Sequence, residues 1–220
     1  MEGLGFFLII VLIVVVSGIL ASRSAKKRRE AWQQAAEELG LPFHQRQDEL
    51  LHELGDFKLL NRGRSRRLQN VVSGDSGDMK IAMGDYHFTT GSGKNRRRHR
   101  QTICALRSQR LQVPRCYLRP QSALFDKIGK LLGGKDFDFP EDAGFSAAYV
   151  LQGEDEAAVR GLFDTPVRDW FAARKDRAIH FEAYGGALVF RGRKLIAPSR
   201  ARQLLGEAIE VHELLAEKTA

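Results

Sequence analysis

Thr89 to Thr102 reads TTGSGKNRRRHRQT, half a phosphate-binding loop followed by five basic residues in the seven from Lys94 to Arg100. A Walker loop, G-x-x-x-x-G-K-[ST], anchored on Gly93 and Lys94 needs a glycine at 88 and a hydroxyl at 95, where the chain has Phe88 and Asn95. Such a loop also opens an apolar helix whose first amides hold the phosphate, whereas RRRHRQTICALR begins as a charge run and ends in strand-forming residues. The stretch therefore reads as the tip of a β-hairpin between 79–90 and about 97–107, with Gly91 and Gly93 supplying positive φ. Its amides and basic side chains suit an anion rather than nucleotide hydrolysis.

Upstream, LQNVVSG and MKIAMGDYHFTT flank GDSGD, a turn between antiparallel strands; Asp75 and Asp78 there lack the oxygen count and closing Glu of a calcium loop. Ile81 and Met83 lie on one strand parity and Tyr86 and Phe88 on the other, so a bulge is expected at Gly84. Downstream, KDFDF at 135–139 alternates as a half-buried strand, and GEDEAAVRGLF is a helix with an acidic first turn. Thr165 and Pro166 read as N-cap and first position of the helix VRDWFAAR. AIHFEAYGGALVFRGRKLI is a hairpin with a two-residue Gly185–Gly186 turn, and a helix follows from about Ser199 to Lys218. His180 and Glu182 share a strand face and are read as its solvated polar side in preference to a catalytic dyad. The fold class is α+β, an antiparallel sheet with helices mainly on one face; helix and strand alternate in the second half, which leaves a partly parallel sheet open.

Toward the N-terminus, Leu4 to Ala21 holds eighteen residues without a charge. As a helix it covers about 27 Å, close to the hydrocarbon thickness. A cleaved signal peptide would have a basic n-region and a shorter apolar core, and the only charge before this segment is Glu2. Arg23, Lys26, Lys27, Arg28 and Arg29 follow it, which by the positive-inside bias places the rest of the chain in the cytoplasm. SAKKRREAWQQAAEELG continues the helix as a stalk, with Trp32 expected to pack on the domain, and a short helix DELLHEL opens at Asp48 as N-cap. The expected organisation is a short extracytoplasmic N-terminus (1–3), a transmembrane helix (4–21), a juxtamembrane helical stalk (22–54) and a cytoplasmic α+β domain (55–220). Cys104 and Cys116 match no zinc spacing and read as buried reduced thiols.

The net charge of +8 is unevenly spread: residues 22–119 carry 21 Lys and Arg against 10 Asp and Glu, and residues 120–220 carry 14 against 16. The excess lies in three clusters: the juxtamembrane run, Arg62 with Arg64, Arg66 and Arg67, and Lys94 with Arg96, Arg97, Arg98 and Arg100. Clusters of this kind attract phosphate-bearing surfaces. The candidate anion- and lipid-binding residues are Arg23, Lys26, Lys27, Arg28, Arg29, Lys94, Arg96, Arg97, Arg98 and Arg100. No complete catalytic or metal-binding motif is present and no cofactor is implied, which favours a membrane-anchored interaction or scaffold domain with a protein partner over an enzyme. A tethered nucleic-acid-binding protein is the alternative, weakened because no aromatic residue for base stacking interleaves the basic run at 94–100.

GDYHFTTGSGKNRRRHRQT, with NVVSG before it and CYLRP, FSAAYVL and LFDTPV after it, resembles a group of bacterial single-pass membrane-anchored proteins of unknown function. The likeness runs from about Leu60 to Ile196, and TGSGKNR with its following QT is the most specific piece. It implies a bacterial source, a plasma-membrane location and one N-terminal span. It supplies no catalytic residues.

Overall fold

The computed structural model describes residues 2–121, 135–192 and 194–218. Its frame is a nine-stranded sheet of β1 (Phe43–Arg46), β2 (Arg64–Ser76), β3 (Met79–Thr90), β4 (Arg97–Ser108), β5 (Val113–Pro120), β6 (Lys135–Phe137), β7 (Tyr149–Gly153), β8 (His180–Gly185) and β9 (Ala187–Arg191). The spatial order is β1-β2-β3-β4-β9-β8-β5-β7-β6, and every pair is antiparallel, which closes the option of a parallel part. The helices are α1 (Glu2–Leu39), α2 (Glu49–Glu53), α3 (Ala143–Ala148), α4 (Glu156–Leu162), α5 (Thr165–Ala172) and α6 (Ala201–Ala216). The fold is mixed helix and antiparallel sheet.

β3 and β4 form an unbroken ladder from Met79↔Ser108 to Thr90↔Arg97, closed by a single 3-10 turn at Gly93–Asn95. Gly91 there has φ +70°, and a Cβ on it would stand 2.3 Å from the Asn95 carbonyl oxygen, so only glycine fits. The bulge expected at Gly84 lies instead in the partner strand, where the β2 register shifts between Gln69 and Val72 and Asn70 has φ +50°. Gly84 serves it by close approach: a Cβ would come within 3.1 Å of the Gln69 carbonyl oxygen. β3 itself keeps an unbroken register with β4.

On one face α1 and α3 to α6 pack over an aromatic core in which Phe171 and Phe181 touch each other and both touch Phe163 and Phe190. Each such ring, fully buried, contributes about 1.5–3 kcal/mol. On the other face α2 and the segment 54–61 cover Leu68, Tyr86, Phe88, Ile103 and Val189. β9 lies beside β4, from Ile103↔Arg191 to Arg107↔Ala187, and so joins the N-terminal meander to the C-terminal strands in one sheet. β1 sits on the β2 edge, just after Pro42, as a strand that the sequence reading passed over.

Aspartates start three of the helices: Asp142 accepts from the Phe145 N–H, Asp155 from Ala158 and Asp164 from Val167. The cap of α5 is thus Asp164, with Thr165 its first residue, one position earlier than expected. Asp48 is the N-cap residue of α2 as expected, but its side chain makes no cap hydrogen bond; the carboxylate accepts instead from the Leu68 N–H at 2.8 Å and from the Arg46 guanidinium, tying α2 to β2.

α1 is one continuous helix with two different surroundings. Its N-terminal half is long and apolar enough to cross a membrane, with a mean hydropathy of 1.9 over eighteen residues and none of that window buried. Its C-terminal half docks on the sheet, where Trp32, Ala35 and Ala36 enter the main core, and Gly40, at φ +68°, ends it.

Candidate functional site

The site grows from the place where α1 meets β3. Asp85 is the one carboxylate in the strand IAMGDYHF, and its parity follows Ile81 and Met83 toward α1. Arg28 meets it as a two-pronged ion pair, Nε to Oδ2 at 2.7 Å and Nη2 to Oδ1 at 2.6 Å, while Nη1 donates to the Ile196 carbonyl at 2.9 Å. Asn70 Nδ2 and Thr102 Oγ1 also donate to Asp85, at 3.0 and 3.3 Å, and Thr102 Oγ1 accepts from the Ile196 N–H. Asp85 is 1% exposed, so these partners replace the water it lost on burial. A lone acid in an apolar strand was the available signal for this knot, and its partner 57 residues upstream was not legible.

The ten candidate residues divide accordingly. Arg28 and Arg29 are half-buried, and the donors of Arg28 are committed inside the protein. Arg23, Lys26, Lys27, Lys94, Arg96, Arg97, Arg98 and Arg100 are exposed, with Lys26 only 3.9 Å from Glu30. Arg62, Arg64, Arg66 and Arg67, on the lead into β2 and its first turn, are exposed as well.

The strand register brings the second and third clusters together. Arg64 pairs with Thr89 and Arg98 pairs with Thr89 from the other side; Arg67 and Arg100 flank His87 in the same way. His87 senses all three clusters: its pKa is depressed first by burial and, against the pull of Asp85, by Arg100, Arg28 and Arg67. His99, stacked on Phe88 at 4.6 Å and bonded to Thr90 Oγ1 at 2.7 Å, is lowered by burial and then by Arg62, Arg191 and Arg97. Both imidazoles are held toward neutrality in a field of surplus positive charge. The arrangement can bind anions without regard to sequence; it holds no nucleophile with a paired base. Among the described residues no group of three or more His, Cys, Asp or Glu could hold a metal ion.

The face carrying His180 and Glu182 departs from the sequence reading. Glu182 is fully buried, accepting from the backbone N–H groups of Lys58 and Leu59 at 2.9 and 2.8 Å, with Arg115 at 3.5 Å. Burial nevertheless pushes its pKa up. It pins the segment 54–61 over the sheet rather than facing solvent. His180 turns to Tyr117, whose hydroxyl lies 3.4 Å from Nδ1. Cys104 and Cys116 are free and buried, each pushed up to about 12, and so are inert as thiols.

No protein-family model matches the chain, and no curated protein matches it. A solved structure shares its fold. The crystal structure of the mycobacterial trehalose monomycolate transport factor A, TtfA, aligns with a TM-score of 0.51 over 89% of this chain and 94% of that one, at 15% identity. At that identity the likeness is one of fold.

Proposed function

We propose that the chain is a single-pass bacterial membrane protein whose cytoplasmic domain works by interaction rather than catalysis, mounted rigidly on its anchor with its basic sheet end against anionic lipid head groups. The remaining surface is left for a protein partner. The observation that carries this reading is the common direction of α1 and the β3–β4 hairpin. Leu41 and Pro42, just past the end of α1, lie against Gly74, whose β3 partner is Ile81, while Arg28 lies against Asp85. Passing from Ile81 to Asp85 therefore runs toward the apolar half of α1. Thr90 is five residues further, about 16 Å along a strand. Ala21 is seven residues before Arg28, about 10 Å along a helix. The tip thus reaches the level at which α1 leaves the bilayer, even with the strand oblique to the helix. TtfA, which shares the fold, is a transport factor, and a protein that serves transport is the first place to look for the partner.

The test uses the full chain in lipid nanodiscs with Ser92→Cys carrying an environment-sensitive fluorophore, the two native thiols being buried. The expected result is a blue-shifted emission in discs containing phosphatidylglycerol that fades as salt rises and the Debye length shrinks from about 10 to about 3 Å. Changing Arg96, Arg97, Arg98 and Arg100 to Gln should abolish the shift. Equal emission in anionic and neutral discs would remove the lipid contact. RNA co-purifying with the full chain in place of a stoichiometric protein would favour the tethered nucleic-acid reading instead.

A further inference from the structure

The loop that carries Ile196 closes one side of a cavity of about 510 Å³ between β9, the 3-10 turn Lys175–Arg177 and the start of α6. Its volume falls in the range of small-ligand sites, about 300–1,000 Å³. The wall is mixed: Ile179, Phe190, Ile196 and Leu204 give it an apolar part, beside Thr102 and the guanidinium groups of Arg177 and Arg191. Lys194 and Arg200 stand at the rim, both exposed and neither in an ion pair among the described residues. Two acids line the cavity, Asp176 and Glu207, and Glu207 is already held by Arg177 and by Gln203. Arg177 is lowered first by burial and then by Arg200 and Arg174, in keeping with local positive excess.

The placement of this cavity restricts what could fill it. Ile196 is hydrogen-bonded to Arg28 through its carbonyl, and the 3-10 turn Pro198–Arg200 packs against α1. By the span assigned to α1, this puts the cavity about 10 Å from the bilayer interface. A free phosphate would satisfy the rim and leave the apolar part of the wall wet; an uncharged acyl chain would leave the charges of Lys194 and Arg200 without an anion, Arg200 Nε donating only to the neutral Gln203 Oε1 at 3.1 Å among the described residues. We infer that the cavity takes one anionic amphiphile, a phospholipid whose phosphate sits between Lys194 and Arg200 and whose first acyl carbons lie on Ile179, Phe190 and Leu204. The assignment rests on the membrane placement proposed above, and on none of the residues of the basic sheet end.

The experiment is native mass spectrometry of the full chain in a neutral detergent, with phosphatidylglycerol or phosphatidylcholine added at equal concentration. One phosphatidylglycerol per chain should be retained in preference to phosphatidylcholine. Lys194→Gln with Arg200→Gln should lower that retention about tenfold or more with an unchanged melting temperature, since both side chains are exposed. The Arg96, Arg97, Arg98 and Arg100 to Gln variant should retain the lipid as the parent does. Equal retention of the two lipids would overturn the proposal, as would competition by glycerol phosphate at the same concentration, which would mean that the head group alone is bound. Loss in the hairpin variant with retention in the Lys194 and Arg200 variant would move the lipid to the sheet end, overturning the cavity site and leaving the membrane placement intact. Since the measurement is made in detergent, failure of the membrane placement would not alter it.

Discussion

Asp85 is the residue on which the attachment of α1 turns. Four side-chain hydrogen bonds from Arg28, Asn70 and Thr102 converge on it, and the arginine side chain is 22% exposed against 1% for the aspartate. The pair is a clamp rather than a source of net stability, because desolvating both charges offsets much of their attraction. Removing one partner is a different matter, since the other stays buried and charged. Arg28→Ala should therefore lower the stability of the full chain by about 3–5 kcal/mol, measured by urea titration in detergent micelles. Arg28→Lys should recover only part of it, because an ammonium cannot reproduce the two-pronged contact and the Ile196 bond together. A loss under about 1 kcal/mol for Arg28→Ala, the scale of exposed pairs, would mean that Asp85 is solvated and the clamp is not closed.

At the scale of elements, short helices carry the C-terminal half and are made by their caps. α4 has seven residues, too few to be stable alone, and it depends on Asp155 to accept from the Ala158 N–H in its first turn and on Val159 and Leu162 for its buried face. Arg160 adds an ion pair to Glu156 one turn back at 2.9 Å and lies 5.0 Å over the Phe139 ring, joining α4 to the segment after β6. Asp155→Ala should cost about 1 kcal/mol, read as a lower melting temperature, and Asp155→Ser should restore most of it. If alanine is neutral there, α4 is held by packing alone. The caps also show how far local sequence reaches: the acidic start of α4 was legible, whereas at α5 the choice between Asp164 and Thr165 depended on backbone angles that composition does not specify.

The whole molecule is an anchor and a sheet made into one body by α1. The helix runs without a break from its apolar half to Trp32 in the core, so in the arrangement proposed above the domain has a fixed attitude to the membrane instead of swinging on a linker. That attitude matters only if the domain lies on the side with the anionic leaflet and the partner. With five basic residues after the span and none before it, a reporter fused after Ala220 should be cytoplasmic: a fluorescent protein should be bright and an alkaline phosphatase fusion inactive. Active phosphatase, or a mature chain beginning near Ser22, would reverse the topology and with it the lipid contact of the sheet end.

The apolar run from Leu4 to Ala21, the rejection of GSGKN as a nucleotide loop, the two long hairpins and the amphipathic last helix were all determined by the sequence alone, because hydrophobic period, glycine placement and charge are local properties. Glu182 marks the limit. In sequence it alternates like any solvated strand residue, and only the return of residues 54–61 across the second face of the sheet buries it. The same holds for the second and third basic clusters, which stand about thirty residues apart in the chain and meet across β3 through β2–β3–β4 register, Arg67 and Arg100 flanking His87. Such meetings depend on strand pairing and on which face each helix covers. Those are set by the free energy of the assembled core, to which no single segment holds the answer.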